Sequence, residues 1–483
     1  MLSTQAALFW LALFTALFVA AGVWYALRDR GNLEDYIVAR NSQSALATIL
    51  TLMASSLGAW ILFAPAQAAT WGGLSAVIGY AIGAMSPRLA MIPLGRRMRE
   101  LMPGGHTLTE FLIARYGRPL YGLVLLIMLF YMFIAMSAEI TAMGQLVALI
   151  APVPLWVSAA IVMGGTLLYT SFGGLKASIF TDKVQMLIIV PLLLILVALG
   201  WRAVGGPGPT LAALHEKAPR LLDLGDPVGI KAGLTFFFAI LLTGLFHQGN
   251  WQRVYAARSI ADMRRGFLLG GMLVAPFIFV MGLFGLAFVG LEPGGSSSVA
   301  LFAIVLPEAP LWFAIALIPL GLALVMSSAD TAISAVSSLI AVDMRRLMPE
   351  ASTATLMRLS RWLIYLLAIP VMIVAAQGYS VLYLFLLADL LCSAAAFPVF
   401  FGLYSKRHDG VTATVATAAG LVAGLWMFPA PGAPLDTLLE SFLLAALVPV
   451  AVTLLMRPLR RRVADFDFAR LPLSIRRLDG EPR

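Results

Sequence analysis

Long apolar segments alternate with short basic segments along most of the chain. A helix needs about twenty apolar residues to cross the hydrocarbon core of a bilayer. We predict thirteen such segments, at 6–27, 45–71, 74–97, 119–148, 153–173, 178–201, 229–249, 266–291, 309–341, 359–377, 379–404, 410–428 and 436–456. A β-barrel would show shorter segments of alternating polarity. The pattern therefore predicts an all-α polytopic membrane protein with about 13 transmembrane helices.

The basic residues between these segments predict the orientation of the chain. Loops on the cytoplasmic side of a membrane protein carry an excess of Lys and Arg. With the N-terminus placed outside, only four of the 33 Lys and Arg residues fall in outside loops, namely Arg202, Lys217, Arg220 and Lys231. We therefore expect an external N-terminus, a basic cytoplasmic tail at 457–483 and a place in the plasma membrane, in a bacterium the inner membrane.

Composition excludes several classes of protein. The chain has 483 residues, of which 61% are hydrophobic and 12% charged. A water-soluble globule, a disordered chain and a disulfide-stapled module all need more polar residues or more cysteines. The net charge of +9 follows from the orientation signals, so we expect no nucleic-acid partner. The expected partners are the lipid bilayer and a small-molecule solute; a monomer is the simplest expectation for an oligomeric state that the sequence leaves open.

Six ionisable residues fall inside the predicted spans, where such groups are costly and usually functional. They are Arg88, Glu139, Asp182, His247, Asp330 and Asp389. Arg88 is expected to extend from a segment end to the membrane surface. Asp182 can pair with Lys183 or Lys176. For Glu139 and Asp389 a structural hydrogen bond and a functional role are equally compatible with the sequence.

Two of the predicted helices contain residues that favour a break near the middle of the membrane. The second segment reads Ala-Ser-Ser-Leu-Gly-Ala at 54–59, followed by Pro65, and the seventh ends in His-Gln-Gly-Asn at 247–250. Unwound backbone at membrane depth is tolerated only beside a cavity or an ion. Interrupted helices at corresponding positions of two halves indicate the central binding site of a transporter.

A cluster of hydroxyl groups lies in the middle of the ninth segment. Ser327, Ser328, Asp330, Thr331 and Ser334 lie within two turns of one helix. Small hydroxyl residues can simply permit close helix packing. Several oxygens together with a carboxylate can also replace water around a hard cation. The residues alone leave both interpretations open.

Two further motifs resemble those of the solute–sodium symporter family. Residues 173–185, GGLKASIFTDKVQ, are similar to the family signature, and residues 251–259, WQRVYAARS, are similar to a second recurrent motif. The resemblance covers essentially all of residues 1–456, as a single transmembrane transport domain. It implies a leucine-transporter-type fold with two inverted five-helix repeats, at 45–201 and 229–404. The helices at 6–27 and 410–456 would then be peripheral.

The resemblance also implies the binding residues. The sodium ligands would be Ala54, Leu57, Leu324, Ser327 and Ser328. A possible second cation or proton site would use Asp182, Asp330 and Thr331. The solute would contact Ser56, Gln67, Glu139, His247, Gln248 and Asn250, with Ala64 and Asp389 as further candidates.

The function implied by the resemblance is secondary active transport. We expect sodium-coupled symport of a small polar or zwitterionic organic solute, such as an amino acid or an amide, by alternating access. A transporter-like membrane sensor and a proton-coupled uptake system are the alternatives. We expect no enzyme, because the chain shows no nucleophile–base spacing, no cofactor-binding loop and no metal-ligand cluster.

Overall fold

The structure is a computed structural model that describes residues 2–28, 32–460 and 463–475. Within these residues all the regular elements are helical, as predicted. The α-helices, numbered α1 to α17, are Thr4–Arg28, Leu33–Ile37, Ala45–Ala54, Ala64–Leu101, Leu108–Tyr116, Arg118–Ile150, Leu155–Ala203, Pro207–Lys217, Pro227–Thr243, Gln248–Ala256, Ile260–Leu291, Ala300–Val305, Leu311–Leu347, Thr353–Ala376, Val381–Phe401, Gly410–Met427 and Leu438–Leu459.

Ten of the described helices are long and apolar enough to cross a membrane. The bent pair formed by α9 and α10 would make an eleventh span. The multi-pass character of the chain is thus confirmed, whereas the number thirteen stays a prediction. Residues 29–31, 461–462 and 476–483 lie outside the described residues, and they include parts of the predicted cytoplasmic tail and of the first predicted inside loop.

Two long helices, α4 and α7, are interrupted by glycines with positive φ. Gly73 has φ 63° and Gly174 has φ 56°, a region that favours glycine because it lacks Cβ. The 49 residues of α7 would extend about 74 Å if straight, more than twice the hydrocarbon thickness. If α9 and α10 count as one span, the total is eleven; it would become thirteen if the parts of α4 and α7 on either side of these glycines were counted as separate spans.

The centre of the bundle is formed by α6, α13 and α15. Their most apolar windows are 61%, 67% and 72% buried, compared with 28% for α1 and 33% for α16 and α17. Helices α14 and α7, which were predicted to lie in the repeats, are as little buried at 28% and 33%, so burial does not distinguish the peripheral helices from the others. The division into two inverted repeats stays a prediction.

The segment 463–475 packs against the side of the molecule that carries α5. The Arg115 guanidinium lies 4.3 Å from the centre of the Phe466 ring, and Leu471 is fully buried. The Phe466 amide donates to the carbonyl of Lys406 at 3.0 Å. This described part of the predicted tail therefore contacts protein.

Candidate functional site

The two predicted helix breaks are present. Helix α3 ends at Ala54, residues 55–58 are not helical, and a short 3-10 turn at Ala59–Leu62 leads into α4. Helix α9 ends at Thr243, and α10 continues from Gln248 at an angle of 58°. Both breaks free backbone groups in the interior of the helical bundle.

Serine hydroxyls of α13 meet the end of α3. The Ser327 hydroxyl donates to the carbonyl of Ala54 at 3.0 Å and lies 2.9 Å from the carbonyl of Leu324. The Ser328 hydroxyl donates to the same Leu324 carbonyl at 3.2 Å. Leu57 lies buried in the unwound segment just beyond Ala54. The structure thus gathers oxygens of the kind that hard cations prefer at the place predicted for sodium.

A cavity of about 110 Å³ lies beside these serines. Of the predicted solute contacts, it is lined by Ser56, Glu139, His247, Asn250 and Asp389. Its aromatic lining consists of Trp60, Tyr80, Tyr131 and Phe385. Ser328 also lines the cavity, so one hydroxyl belongs both to the cavity wall and to the group of oxygens at the α3–α13 contact.

Three predicted solute contacts, Gln67, Gln248 and Ala64, do not line this cavity. The Gln67 amide oxygen accepts from Ser380 at 3.0 Å. The Gln248 side chain donates to the carbonyl of His106 and accepts from the amide of Leu108. Gln248 points away from the cavity because it starts α10 on the far side of the break. Its contact with solute stays a prediction.

Arg88 lies in the cavity wall, which contradicts the prediction that it reaches the membrane surface. Helix α4 continues for thirteen residues beyond it, about 20 Å, so its side chain cannot reach the helix end. The guanidinium donates to the carbonyl of Ala84 at 2.7 Å and to the Ser56 hydroxyl. The sequence did show the relevant signal, a charge in the middle of an apolar helix, but it was interpreted as a residue that reaches the membrane surface.

Asp182 forms a buried ion pair with Arg253. Their side chains are 0% and 1% exposed, and the shortest N–O distance is 3.0 Å. Thr51 donates to the same carboxylate. The predicted pairing with a neighbouring lysine is wrong, because Asp182 faces α10 in the interior. Lys176 pairs instead with Asp35, at 3.0 Å.

The other two residues of the predicted second cation site also have protein partners. The Asp330 carboxylate accepts from the hydroxyls of Tyr169, Ser178 and Thr181 at 2.7, 2.8 and 3.0 Å. The Thr331 hydroxyl accepts from Arg253 at 2.9 Å. The three residues are gathered as predicted, but the guanidinium of Arg253 supplies the positive charge among them.

Comparison with known proteins identifies the family. Residues 36–422 match the profile described as the sodium:solute symporter family. The chain belongs to the sodium:solute symporter family. Its members are transporters and not enzymes, as the motifs at 173–185 and 251–259 had indicated.

Individual relatives of this symporter are similar over most of its length. It is 25% identical to a spermidine transporter of Candida albicans, over 86% of this chain and 78% of that protein. It is 26% identical to sodium/glucose cotransporter 4 of Mus musculus, over 84% of this chain and 66% of that protein. A proline transporter of Bacillus subtilis is 28% identical over 51% of this chain and 53% of that protein.

Solved structures confirm the fold class. A Na+-coupled sialic acid symporter in a substrate-bound outward-open state aligns with a TM-score of 0.75. The alignment covers 95% of this chain and 98% of that one, at 17% identity. The amino-acid-bound structure of MhsT aligns with a TM-score of 0.53 at 16% identity. The fold of the symporter is therefore of the leucine-transporter type.

A charged cluster at the α5 side of the symporter joins α2 and the residues that follow it to α5 and the loop before it. The His106 ring lies 2.7 Å from the carboxylate of Glu34 and 3.3 Å from that of Glu110. Arg40 completes the cluster at 2.6 Å from Glu34. Burial alone would lower the pKa of His106, but the hydrogen bonds and charges of the two carboxylates outweigh it and raise the pKa to about 9. At neutral pH the imidazole is therefore charged and links α2 to α5, while the backbone carbonyl of His106 accepts a hydrogen bond from Gln248 of α10.

We expect this cluster to make the stability of the folded protein decrease as the pH becomes alkaline. The folded-state pKa of His106 is raised from 6.5 to about 9, so its contribution is complete below pH 6.5 and is lost as the pH rises through about 9. The Tm of purified protein should fall over this window, and His106→Asn should remove most of that dependence. The exposed His215→Asn serves as the control. An equal pH slope in parent and His106→Asn would contradict the assignment.

Gly58 provides a test of the contact between the unwound segment and the cavity. A Cβ on Gly58 would overlap the Glu139 carboxylate and lie 2.7 Å from the Ser328 hydroxyl. We expect Gly58→Ala to displace both side chains and to reduce sodium-driven uptake by about tenfold or more, a loss equal to about 1.4 kcal/mol. Gly122→Ala is the matched control, because nothing lies within 4 Å of its Cβ. Equal uptake by the two variants would show that the contact is not needed.

Proposed function

We propose that the protein is a secondary active transporter that couples the entry of sodium to the uptake of a small polar or zwitterionic organic solute. The observation that carries the proposal is that Ser328 belongs both to the cavity wall and to the group of oxygens at the α3–α13 contact. Its hydroxyl lines the cavity and shares the Leu324 carbonyl with Ser327, which in turn contacts Ala54. A cation at these oxygens would lie directly beside a solute in the cavity.

The oxygens assigned to sodium are the carbonyls of Ala54, Leu57 and Leu324 and the hydroxyls of Ser327 and Ser328. They come from two elements, the broken end of α3 and the middle of α13. A cation that binds both would stabilise the conformation in which the two elements are close. Since a ligand shifts an equilibrium only by its differential affinity for the two states, this contact is the physical basis for coupling and alternating access.

We propose one sodium ion for each transport cycle. The possible second site at Asp182, Asp330 and Thr331 already contains the guanidinium of Arg253. A second cation there would oppose that charge within a few ångström in a buried region. The Arg253 side chain thus supplies, as part of the protein, the positive charge that a second ion would bring.

The solute is placed in the cavity lined by Ser56, Glu139, His247 and Asn250. These polar side chains, set among aromatic and aliphatic ones, suit a small molecule that carries polar groups, and the solutes named for the relatives, spermidine, glucose and proline, all carry them. We further propose a plasma-membrane location, with the N-terminus outside and the α5 side in the cytoplasm, because the basic loops favour that orientation.

Uptake into proteoliposomes tests the proposal. Purified protein is reconstituted, and a panel of labelled amino acids, amides, polyamines and sugars is offered with an inward sodium gradient or with sodium equal on both sides. We expect at least one solute to accumulate only when the sodium gradient is present. Accumulation that follows a proton gradient and ignores sodium would indicate a proton-coupled system. Binding without flux of any solute would indicate a sensor.

A further inference from the structure

Two side chains of opposite charge line the cavity without an ionic partner. They are Arg88 on α4 and Asp389 on α15. None of the ion pairs between described residues involves either of them. Charged groups held away from bulk water are normally paired. The cavity therefore offers a guanidinium that can bind an anion and a carboxyl group that can bind an amine.

The guanidinium of Arg88 has unused hydrogen-bonding capacity. Its bonds go to neutral acceptors, the Ala84 carbonyl and the Ser56 hydroxyl, and its buried Nε has no hydrogen-bond partner among the residues that the structure describes. A guanidinium carries five N–H donors in a planar fork that matches a carboxylate. The carboxylate of Glu139 also lines the cavity, but it accepts from the backbone amide of Ala59 at 2.7 Å. Arg88 therefore has N–H donors available to bind an oxyanion of the solute.

The carboxylate of Asp389 is the complementary feature. Only 6% of the residue is exposed, and it lies on the same cavity of about 110 Å³ as Arg88. The two residues thus line one small cavity together, and the inference requires a single solute to contact both. Aromatic rings form the neighbouring wall, with Trp60 5.6 Å from Tyr80 and 6.0 Å from Phe385 between ring centres. That wall suits an apolar side chain.

We propose that the solute is a zwitterionic amino acid with an apolar side chain, whose carboxylate binds Arg88 and whose ammonium group faces Asp389. The inference rests on the proposed function, because it names the solute of the same cavity. A polyamine would be repelled by Arg88, and a neutral sugar would leave both charges without a partner. A carboxylic acid without an amine would satisfy Arg88 alone.

The first test uses the parent protein and matched trios of compounds. Each trio contains an amino acid, its amide and the acid that lacks the amine. Suitable trios are L-proline, L-prolinamide and cyclopentanecarboxylate, and L-leucine, L-leucinamide and isocaproate, followed by the other neutral amino acids. Binding is measured as the thermal stabilisation that each compound adds in the presence of sodium, and transport is measured in proteoliposomes. We expect at least one amino acid to bind at least about tenfold more tightly than both of its analogues, about 1.4 kcal/mol for each lost group.

Variants then test which group of the solute each of the two residues binds. Arg88→Gln should remove the preference for the acid over the amide, and Asp389→Asn should remove the preference for the amine. Arg88→Lys keeps the charge without the planar fork and should show an intermediate preference. Stabilisation by sodium without solute should persist in all three. The control is Arg202→Gln, since Arg202 is exposed at the end of α7.

The outcomes separate this inference from the proposed function. Sodium-driven accumulation of spermidine or glucose, with no competition by any amino acid, would overturn the inference and leave sodium symport intact. Loss of sodium dependence for every solute would overturn both. Retention of the acid-over-amide preference in Arg88→Gln would overturn the role of Arg88. If a variant fails to fold, the comparison of the amino acid with its amide on the parent protein still tests the inference.

Discussion

Replacing Ser328 by alanine is expected to raise the sodium concentration that half-activates transport by at least about tenfold, or about 1.4 kcal/mol of lost sodium binding. The Ser328 hydroxyl approaches the Leu324 carbonyl beside Ser327, and a methyl group offers no ligand to a hard cation. Removing one hydroxyl leaves no large cavity, so the variant should be expressed and folded. Sodium activation curves of uptake in proteoliposomes measure the effect.

The control for this variant must lie on the same helix without contacting another element. Ser337 is unsuitable, because its hydroxyl lies 3.3 Å from that of Tyr36 and 3.2 Å from that of Ser360. The hydroxyl of Ser338 bonds only to the carbonyl of Ala335 in its own helix, at 2.8 Å. Ser338→Ala should therefore leave sodium activation unchanged. Identical activation curves for Ser328→Ala and Ser338→Ala would mean that the serines serve helix packing.

Replacing Asp182 by asparagine is expected to destabilise the protein by about 3–5 kcal/mol. The substitution leaves the guanidinium of Arg253 buried, 1% exposed and without its counter-ion. As a member of the possible second cation or proton site that the resemblance implies, Asp182 would instead affect the sodium or pH dependence of transport. The structure shifts the expected effect to stability, measured as the loss of Tm and of monodisperse protein in detergent.

A double variant distinguishes the effect of an unpaired buried charge from the effect of changing the Asp182 side chain itself. Asp182→Asn combined with Arg253→Gln removes both members of the ion pair and should recover part of the lost stability, because no buried guanidinium is left without Asp182, although the buried Asp330 carboxylate remains. Arg407→Gln breaks the exposed pair with Asp465, whose side chains are 85% and 55% exposed, and should cost less than about 1 kcal/mol. A single Asp182→Asn variant as stable as Arg407→Gln would contradict the buried ion pair.

Much of the fold could be predicted from hydropathy, because a bilayer imposes a helix length that apolar segments reveal directly. The breaks at 55–58 and 244–247 were also visible, since Ser and Gly interrupt otherwise apolar helices. The spans of α4 and α7 were harder to separate. Gly73 and Gly174 change the chain direction through φ alone, without a polar loop between the spans.

The side-chain partners inside the bundle could not be predicted in this way. Arg253 was counted among the basic loop residues, but α10 folds back into the protein and brings it to Asp182. Arg88 was assigned to the membrane surface, because the sequence does not show how far α4 continues beyond it. Gln248 was placed on the solute, whereas the bend before α10 turns it toward His106. Each of these contacts depends on a helix direction that only the tertiary structure defines.

The central claim is that sodium and solute bind next to each other across Ser328. The most direct test measures the affinity of the purified protein for its transported solute over a range of sodium concentrations, and its affinity for sodium over a range of solute concentrations. Linkage requires the two affinities to change by the same factor. We predict that saturating sodium tightens solute binding by about five- to 150-fold, with the same factor for the effect of solute on sodium. Solute affinity independent of sodium would contradict the account.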